Sequence, residues 1–126
     1  DKNVSITGNL TALQGALLNL VHNASQVTPK GECVHVETAV SGERLHVAII
    51  DKGPGVPDKL KNKIFEPFFT TKTHGTGLGL AVVKSVVNAH NGLLSVSNMP
   101  EGGACFSVSL PCVVNAQSSQ TLTHVA

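Results

Sequence analysis

No stretch of this sequence approaches the ~20 consecutive apolar residues that a membrane-spanning helix requires, and its beginning lacks the ordered regions of a secretory signal. Charge of one sign is missing as well. Nine Lys and Arg against eight Asp and Glu leave a net charge of +1. The basic residues are scattered, so no stripe follows a nucleic-acid backbone or an anionic membrane. Nucleic acid is thereby excluded as a principal partner, and no membrane contact is expected of this domain. Cysteine is scarce. Cys33, Cys105 and Cys112 stand far apart without CxxC spacing, and an odd number cannot pair completely within the chain. They read as reduced thiols of a cytoplasmic protein. Cys33 and His35 alternate along a strand-like segment, but two ligands without a second pair favour a buried cysteine over zinc. No metal is assigned there. Two familiar phosphate-binding signatures are absent too. No GxxxxGK[ST] occurs, and GxGxxG fails because Asp58 and Leu80 stand where a third glycine would fall.

What is present suffices for the core of one domain, with 41% of 126 residues hydrophobic. The start at Asp1 reads as a domain cut from a longer protein. Residues 3–8 alternate and end in glycine, as a short strand should, and Asn9 or Thr11 then caps a helix, Gln14 completing a Thr-x-x-Gln box. In that helix Leu10, Leu13, Leu17, Leu20, Val21 and Ala24 recur at three- and four-residue spacing and predict one buried stripe, with Asn19 and Asn23 on the opposite face. Thr28-Pro29-Lys30-Gly31 ends it. Residues 33–40 and 44–51 are rich in β-branched residues and predict a hairpin through residues 41–43. DKGPGVP (51–57) holds no regular element, and Pro57 suits the start of a short helix over 58–64. After a loop over 65–76, residues 77–90 are apolar around most of their circumference and predict a deeply buried helix, with Gly92 as its left-handed cap. Residues 93–98 and 104–110 predict a second hairpin. The domain is read as residues 1–112, and 113–126 as a polar, flexible tail. Helices interleaved with hairpins predict an α+β fold, a two-layer sandwich with a mixed, mainly antiparallel sheet and its helices on one face.

Glycine is concentrated where a nucleotide would need it: Gly53 and Gly55 after a strand, then Gly75, Gly77 and Gly79 opening a helix. Asp51, at a strand end, offers a carboxylate to the exocyclic amine of adenine while Gly53 and Gly55 let backbone approach the ring. Guanine lacks an amine at that edge. The first amides of the helix opened by Gly75-Thr76-Gly77-Leu78-Gly79 can cradle phosphates, helped by the helix dipole. Asn23 supplies a hard, neutral oxygen suited to Mg²⁺, and Asn19 lies one turn earlier.

On these residues the chain resembles the GHKL ATPases, which include gyrase, the large heat-shock chaperone, histidine kinases and the mismatch-repair ATPase. Four boxes occur in the family's order: LLNLVHNASQ (17–26), DKGPGVP (51–57), IFEPFFTTK (64–72) and GTGLGLAVVK (75–84). The segment EGGACFSVSLP (101–111) is similar to the family's last hairpin, and FEPFFTTK followed by GTGLGL looks like a sensor histidine kinase. The resemblance implies a GHKL-type sandwich with a short ATP lid. By it, Asn23 is the Mg²⁺ ligand, Asp51 the adenine anchor, Gly75, Gly77 and Gly79 the phosphate-side glycines, and Lys72 a candidate phosphate contact. Asn19 is a candidate for positioning metal or phosphates. Phe65, Phe68 and Phe69 are three of the chain's four phenylalanines; one or two are expected in the core. The short segment between Phe69 and Gly75 resembles the nitrogen-regulation and flagellar-regulation subgroup.

Members that hydrolyse ATP, and those that phosphorylate serine, resemble one another in carrying Glu four residues before the Mg²⁺ asparagine. Here that position is Asn19, and an amide cannot act as a general base near neutral pH. A histidine acceptor asks less, because neutral imidazole is already a nucleophile. None of His22, His35, His46, His74, His90 or His124 is followed by Glu or Asp, so the acceptor is expected on a separate dimerisation domain, with a response regulator downstream. His22, His35 and His46 read as structural histidines. The expected function is that of a protein histidine kinase's catalytic domain using ATP and Mg²⁺, monomeric in isolation, homodimeric in the full protein and unable to autophosphorylate alone. The rivals are a serine kinase or ATPase, and a non-catalytic ATP-sensing module.

Overall fold

Among the residues that the computed structural model describes, 3–67, 69 and 79–115, two helices and six strands follow one another. They are β1 (Asn3–Ser5), α1 (Leu10–Val27), β2 (His35–Ser41), β3 (Arg44–Ile50), α2 (Gly79–Ala89), β4 (Leu93–Asn98), β5 (Ala104–Pro111) and β6 (Val113–Asn115). One sheet has the order β2-β3-β5-β4, and β1 pairs with β6 separately. Every described pairing is antiparallel, where a mixed sheet was expected. Short turns explain most of this, because β2 to β3 and β4 to β5 are hairpins that leave no room for a crossover.

The core follows from alternation along β5. Ala104, Phe106, Val108 and Leu110 are buried, while Cys105, Ser107 and Ser109 between them are only half-buried. Register places Val47 and Leu94 beside Val108, and Ile49 and Val96 beside Phe106, so the centre of one face of the sheet is apolar. Helix α1 covers it with Ala16, Leu20 and Ala24, and α2 with Val83 and Val87. Leu20, Ile49, Val83, Val87 and Val108 are almost wholly enclosed; burial of a side chain of this size contributes ~1.5–3 kcal/mol. His46, Ser95 and Ser97 are exposed on the other face, which makes this a two-layer sandwich.

Several local expectations change. Asn9 caps α1, its side chain accepting from Ala12 N–H at 2.9 Å; Thr11 lies inside the helix, so no Thr11–Gln14 box forms. Leu10 stays 47% exposed at the helix start, and Ala16 takes the stripe position nearer the sheet. Residues 58–65 make two 3-10 turns, Asp58–Leu60 and Lys63–Phe65, instead of one helix. Helix α2 is not deeply buried: only Val83 and Val87 are enclosed, and Val82 is 49% exposed. It lies on the outside of the sandwich, and an outer helix buries one stripe whatever its composition. Asn91, not Gly92, takes the left-handed position at φ 60°. Asn91 N–H donates to Asn88 O at 3.1 Å and Gly92 N–H to Val87 O at 2.9 Å, a Schellman cap. Gly92 is needed for space, since a Cβ there would lie 2.6 Å from Ser109 O. Cys33 is exposed and Cys112 buried; the segment before β2 sits at the sheet edge, where little covers it. Residues 113–115, expected in the tail, pair with β1, placing Val114 opposite Val4. Residues 116–126 lie outside the described residues. No described helix is long and apolar enough to cross a membrane.

Candidate nucleotide site

Asp51 follows β3 directly and is the one buried charged residue among those described, 2% exposed. Its N–H donates to Ala104 O at 2.9 Å, extending the β3–β5 ladder by one bond. Its Oδ1 accepts from Gly53 N–H at 2.9 Å and from Ala104 N–H at 3.0 Å. A carboxylate is costly to bury unless hydrogen-bonded, and two amide donors fix this one. Both bonds fall on Oδ1, so Oδ2 keeps its acceptor capacity among the described residues.

The backbone around Asp51 is equally constrained. Gly103 has φ 95°, and a Cβ there would run into the Asp51 carbonyl oxygen. A Cβ on Gly53 would lie 2.8 Å from Val27 Cγ2. Gly55 takes φ 83° against the Asn98 side chain. That side chain holds Val56 twice, Nδ2 donating to Val56 O and Oδ1 accepting from Val56 N–H, both at 2.8 Å. Lys52 N–H donates to Thr28 Oγ1 at 3.0 Å, which ties the loop to the end of α1.

Helix α1 carries the second cluster. A Cβ on Gly79 would stand 3.7 Å from Asn19 Oδ1 and 4.0 Å from Asn23 Nδ2, so both amides lie beside the first residue of α2. They are half-buried on the flank that meets α2, not fully opposite the buried stripe as expected. One helix, α1, borders both clusters. Asn23 lies one turn, ~6 Å along the axis, before Val27, which packs on Gly53. Asp51, Gly53 and Gly55 are thus brought together, as are Asn19, Asn23 and Gly79. Lys72, Gly75, Thr76, Gly77 and Leu78 lie outside the described residues, as do Phe68 and His74.

Phe65 is buried edge-to-face on Phe106, centroids 6.3 Å apart, with Lys84 Nζ 5.8 Å above its ring, and Phe69 packs on the core. These two phenylalanines complete the core as expected. His22, His35 and His46 are exposed. His90 is the structural one: Nδ1 donates to Val86 O at 2.8 Å and Nε2 accepts from Asn9 N–H at 3.0 Å, the roles these partners dictate. Sequence reasoning missed Asn98, Gly103 and the Ala104 amide. The only local signal was an asparagine opening a Pro-Glu-Gly-Gly turn, and nothing in it names Val56, 42 positions away.

Residues 8–114 match the family described as histidine kinase-, DNA gyrase B-, and HSP90-like ATPase. The chain belongs to this family. Its relatives are sensor histidine kinases. Sporulation kinase A of Bacillus subtilis (strain 168) is 38% identical over 108 residues, 86% of this chain and 18% of that protein. The solved structure of a mycobacterial sensor histidine kinase, MprB, matches with a TM-score of 0.79 at 34% identity, over 85% of this chain and 74% of that one. Full-length ShkA, solved in complex with AMPPNP, matches with a TM-score of 0.76 at 33% identity, over 89% of this chain and 24% of that one. The curated relatives are longer; the chain spans between 10% and 32% of their length.

Proposed function

We propose that this chain binds Mg-ATP and presents its γ-phosphoryl group to a histidine on a separate dimerisation domain of the same sensor kinase, in the cytoplasm, for relay to a response regulator. The observation that carries the reading is the Asp51 carboxylate, buried and held on Oδ1 while Oδ2 keeps its acceptor capacity. Such a group reads a donor on a flat ring: adenine offers its exocyclic amine, and guanine offers none at that edge. The glycines at 53 and 55 keep side chains away from the ring's plane. ShkA, a neighbour of the same fold, was solved with an ATP analogue, which supports the same class of ligand here.

On the phosphate side, Asn19 and Asn23 lie beside Gly79, a cradle that a larger residue would begin to fill. Asn23 would hold Mg²⁺ through its amide oxygen, and the metal, when bound, neutralises charge on the phosphates. Gly75, Gly77 and Gly79, with Thr76 and Leu78, would supply amides to phosphate oxygens, and Lys72 a point charge. Asn19 orients and takes no proton, since an amide is no base at neutral pH. The transfer forms an N–P bond on the accepting imidazole and breaks the bond from γ-phosphorus to the ADP oxygen. Such a nucleophile needs no carboxylate to activate it, which agrees with Asn19 standing where hydrolysing relatives resemble one another in carrying Glu. The full protein would be a homodimer, and this chain alone would not phosphorylate itself.

Labelled ATP added to this domain together with the histidine-bearing helical domain of its own protein should yield acid-labile, base-stable phosphate. Acid-stable label would identify a serine kinase instead. Binding without transfer would leave a nucleotide-sensing module, and calorimetry showing no adenine nucleotide binding would end the reading altogether.

A further inference from the structure

Both backbone groups of Val56 are held by one side chain, that of Asn98, through two bonds of 2.8 Å. The carboxamide pairs with Val56 as a neighbouring strand would, at a point where no strand lies beside it among the described residues. Asn98 is the last residue of β4, and β4 is separated from β3 by β5, so the contact reaches over the end of the sheet. At that same end, Asp51 is bonded to Ala104 through both its backbone and its side chain. The loop that carries Gly53 and Gly55 is therefore tied to the β4–β5 hairpin at both of its ends, at Asp51 and at Val56. Gly55 is shaped to the clamp, since its φ is 83° and a Cβ there would lie 2.8 Å from Asn98 Oδ1.

We infer that Asn98 is a positioning residue for the adenine site: without touching the nucleotide, it fixes the Gly53–Val56 backbone where the base must slide against it. The inference rests on the assignment of Asp51 to adenine. A loop pinned at both ends enters the complex already ordered, and releasing one end adds an ordering cost to binding. The effect then falls on affinity and base preference. A merely structural role would appear as lost stability with base preference unchanged. Asn98 is exposed, so replacing it leaves the core intact.

Calorimetry with ADP and with GDP, on the wild-type chain and on the Asn98→Ala, Asn98→Asp and Asp51→Asn variants, alongside thermal melts, separates these cases. Asn98→Ala should weaken ADP about tenfold, equivalent to ~1.4 kcal/mol, and narrow the ADP-to-GDP ratio while the melting temperature changes little. Asn98→Asp keeps an acceptor for Val56 N–H but turns a second oxygen towards Val56 O, and should lose as much. Wild-type affinity and ratio in both Asn98 variants would overturn the inference, as would a lowered melting temperature with an unchanged ratio. If Asp51→Asn abolishes discrimination while the Asn98 variants behave as wild type, the adenine assignment stands and only the role of Asn98 falls. If the wild-type chain binds neither nucleotide, the Asp51 assignment falls first and this inference with it.

Discussion

Around Asp51, segments from β3, the β4–β5 hairpin and the end of α1 meet through hydrogen bonds to backbone, most of them within 3.0 Å. Around Asn23, by contrast, α1 brings two side-chain amides beside Gly79, where a Cβ would stand 3.7–4.0 Å from them. The first arrangement leaves little to adjust, because each strut ends on a backbone group that no rotamer change can move. The second is made of two side-chain amides on one helix face, set against the first residue of another helix. Under the proposed function, base selectivity would rest on the scaffold and charge on the phosphate side on the α1 amides.

Altering the backbone geometry of the scaffold should therefore cost stability, whereas altering a side chain of either cluster should mainly weaken binding. The largest effect is expected from Gly103→Ala, which needs a positive φ and drives a methyl group into the Asp51 carbonyl. The cost should reach ~3 kcal/mol or more, read as a melting temperature lower by at least ~10 °C. A change within a few degrees would show that the β4–β5 turn is not rigid and would erase the contrast. Asp51→Asn comes next. Its amide oxygen can still accept from Gly53 and Ala104, so folding should be nearly preserved, while adenine nucleotide affinity falls about a hundredfold with the loss of a charged acceptor. Titration calorimetry with matched melts distinguishes the two. Smallest is Asn23→Ala, expected to weaken ATP about tenfold in Mg²⁺ and less than about twofold in EDTA. Equal losses in both conditions would mean that the amide contacts nucleotide directly and serves no metal.

The residues of the proposed site were legible in order, because box residues such as Asp51, Gly53 and Asn23 are set by local turn and helix geometry. Both hairpins were readable for the same reason: alternation in β5 and the turns at 42–43 and 99–103 are short-range signals. What escaped is long-range. The pairing of β6 with β1 joins residues 112 positions apart at Asn3 and Asn115; alternation from residue 3 announces a strand there, but three residues at 113–115 carry no periodicity that names them as its partner. The Asn98 clamp spans 42 positions and uses an ordinary turn residue. For α2, uniform apolar composition concealed which stripe faces the sheet, and tertiary placement alone decided it. The left-handed position expected at Gly92 falls on Asn91, and Gly92 is required instead by the nearness of Ser109, a constraint that belongs to a different strand.

The small β1–β6 pair has a topological consequence. Asn3 and Asn115 face each other across one antiparallel rung, a separation of ~5 Å between Cα atoms. The described body is therefore closed like a ring, entered and left through the same doorway. A linker of a few residues could join these two points, and new termini could be opened at the Gly42-Glu43 turn without removing a single rung of the four-stranded sheet. In such a circularly permuted chain Asp51 and Asn98 would still meet the same loop, now with the strand order of the sequence rearranged.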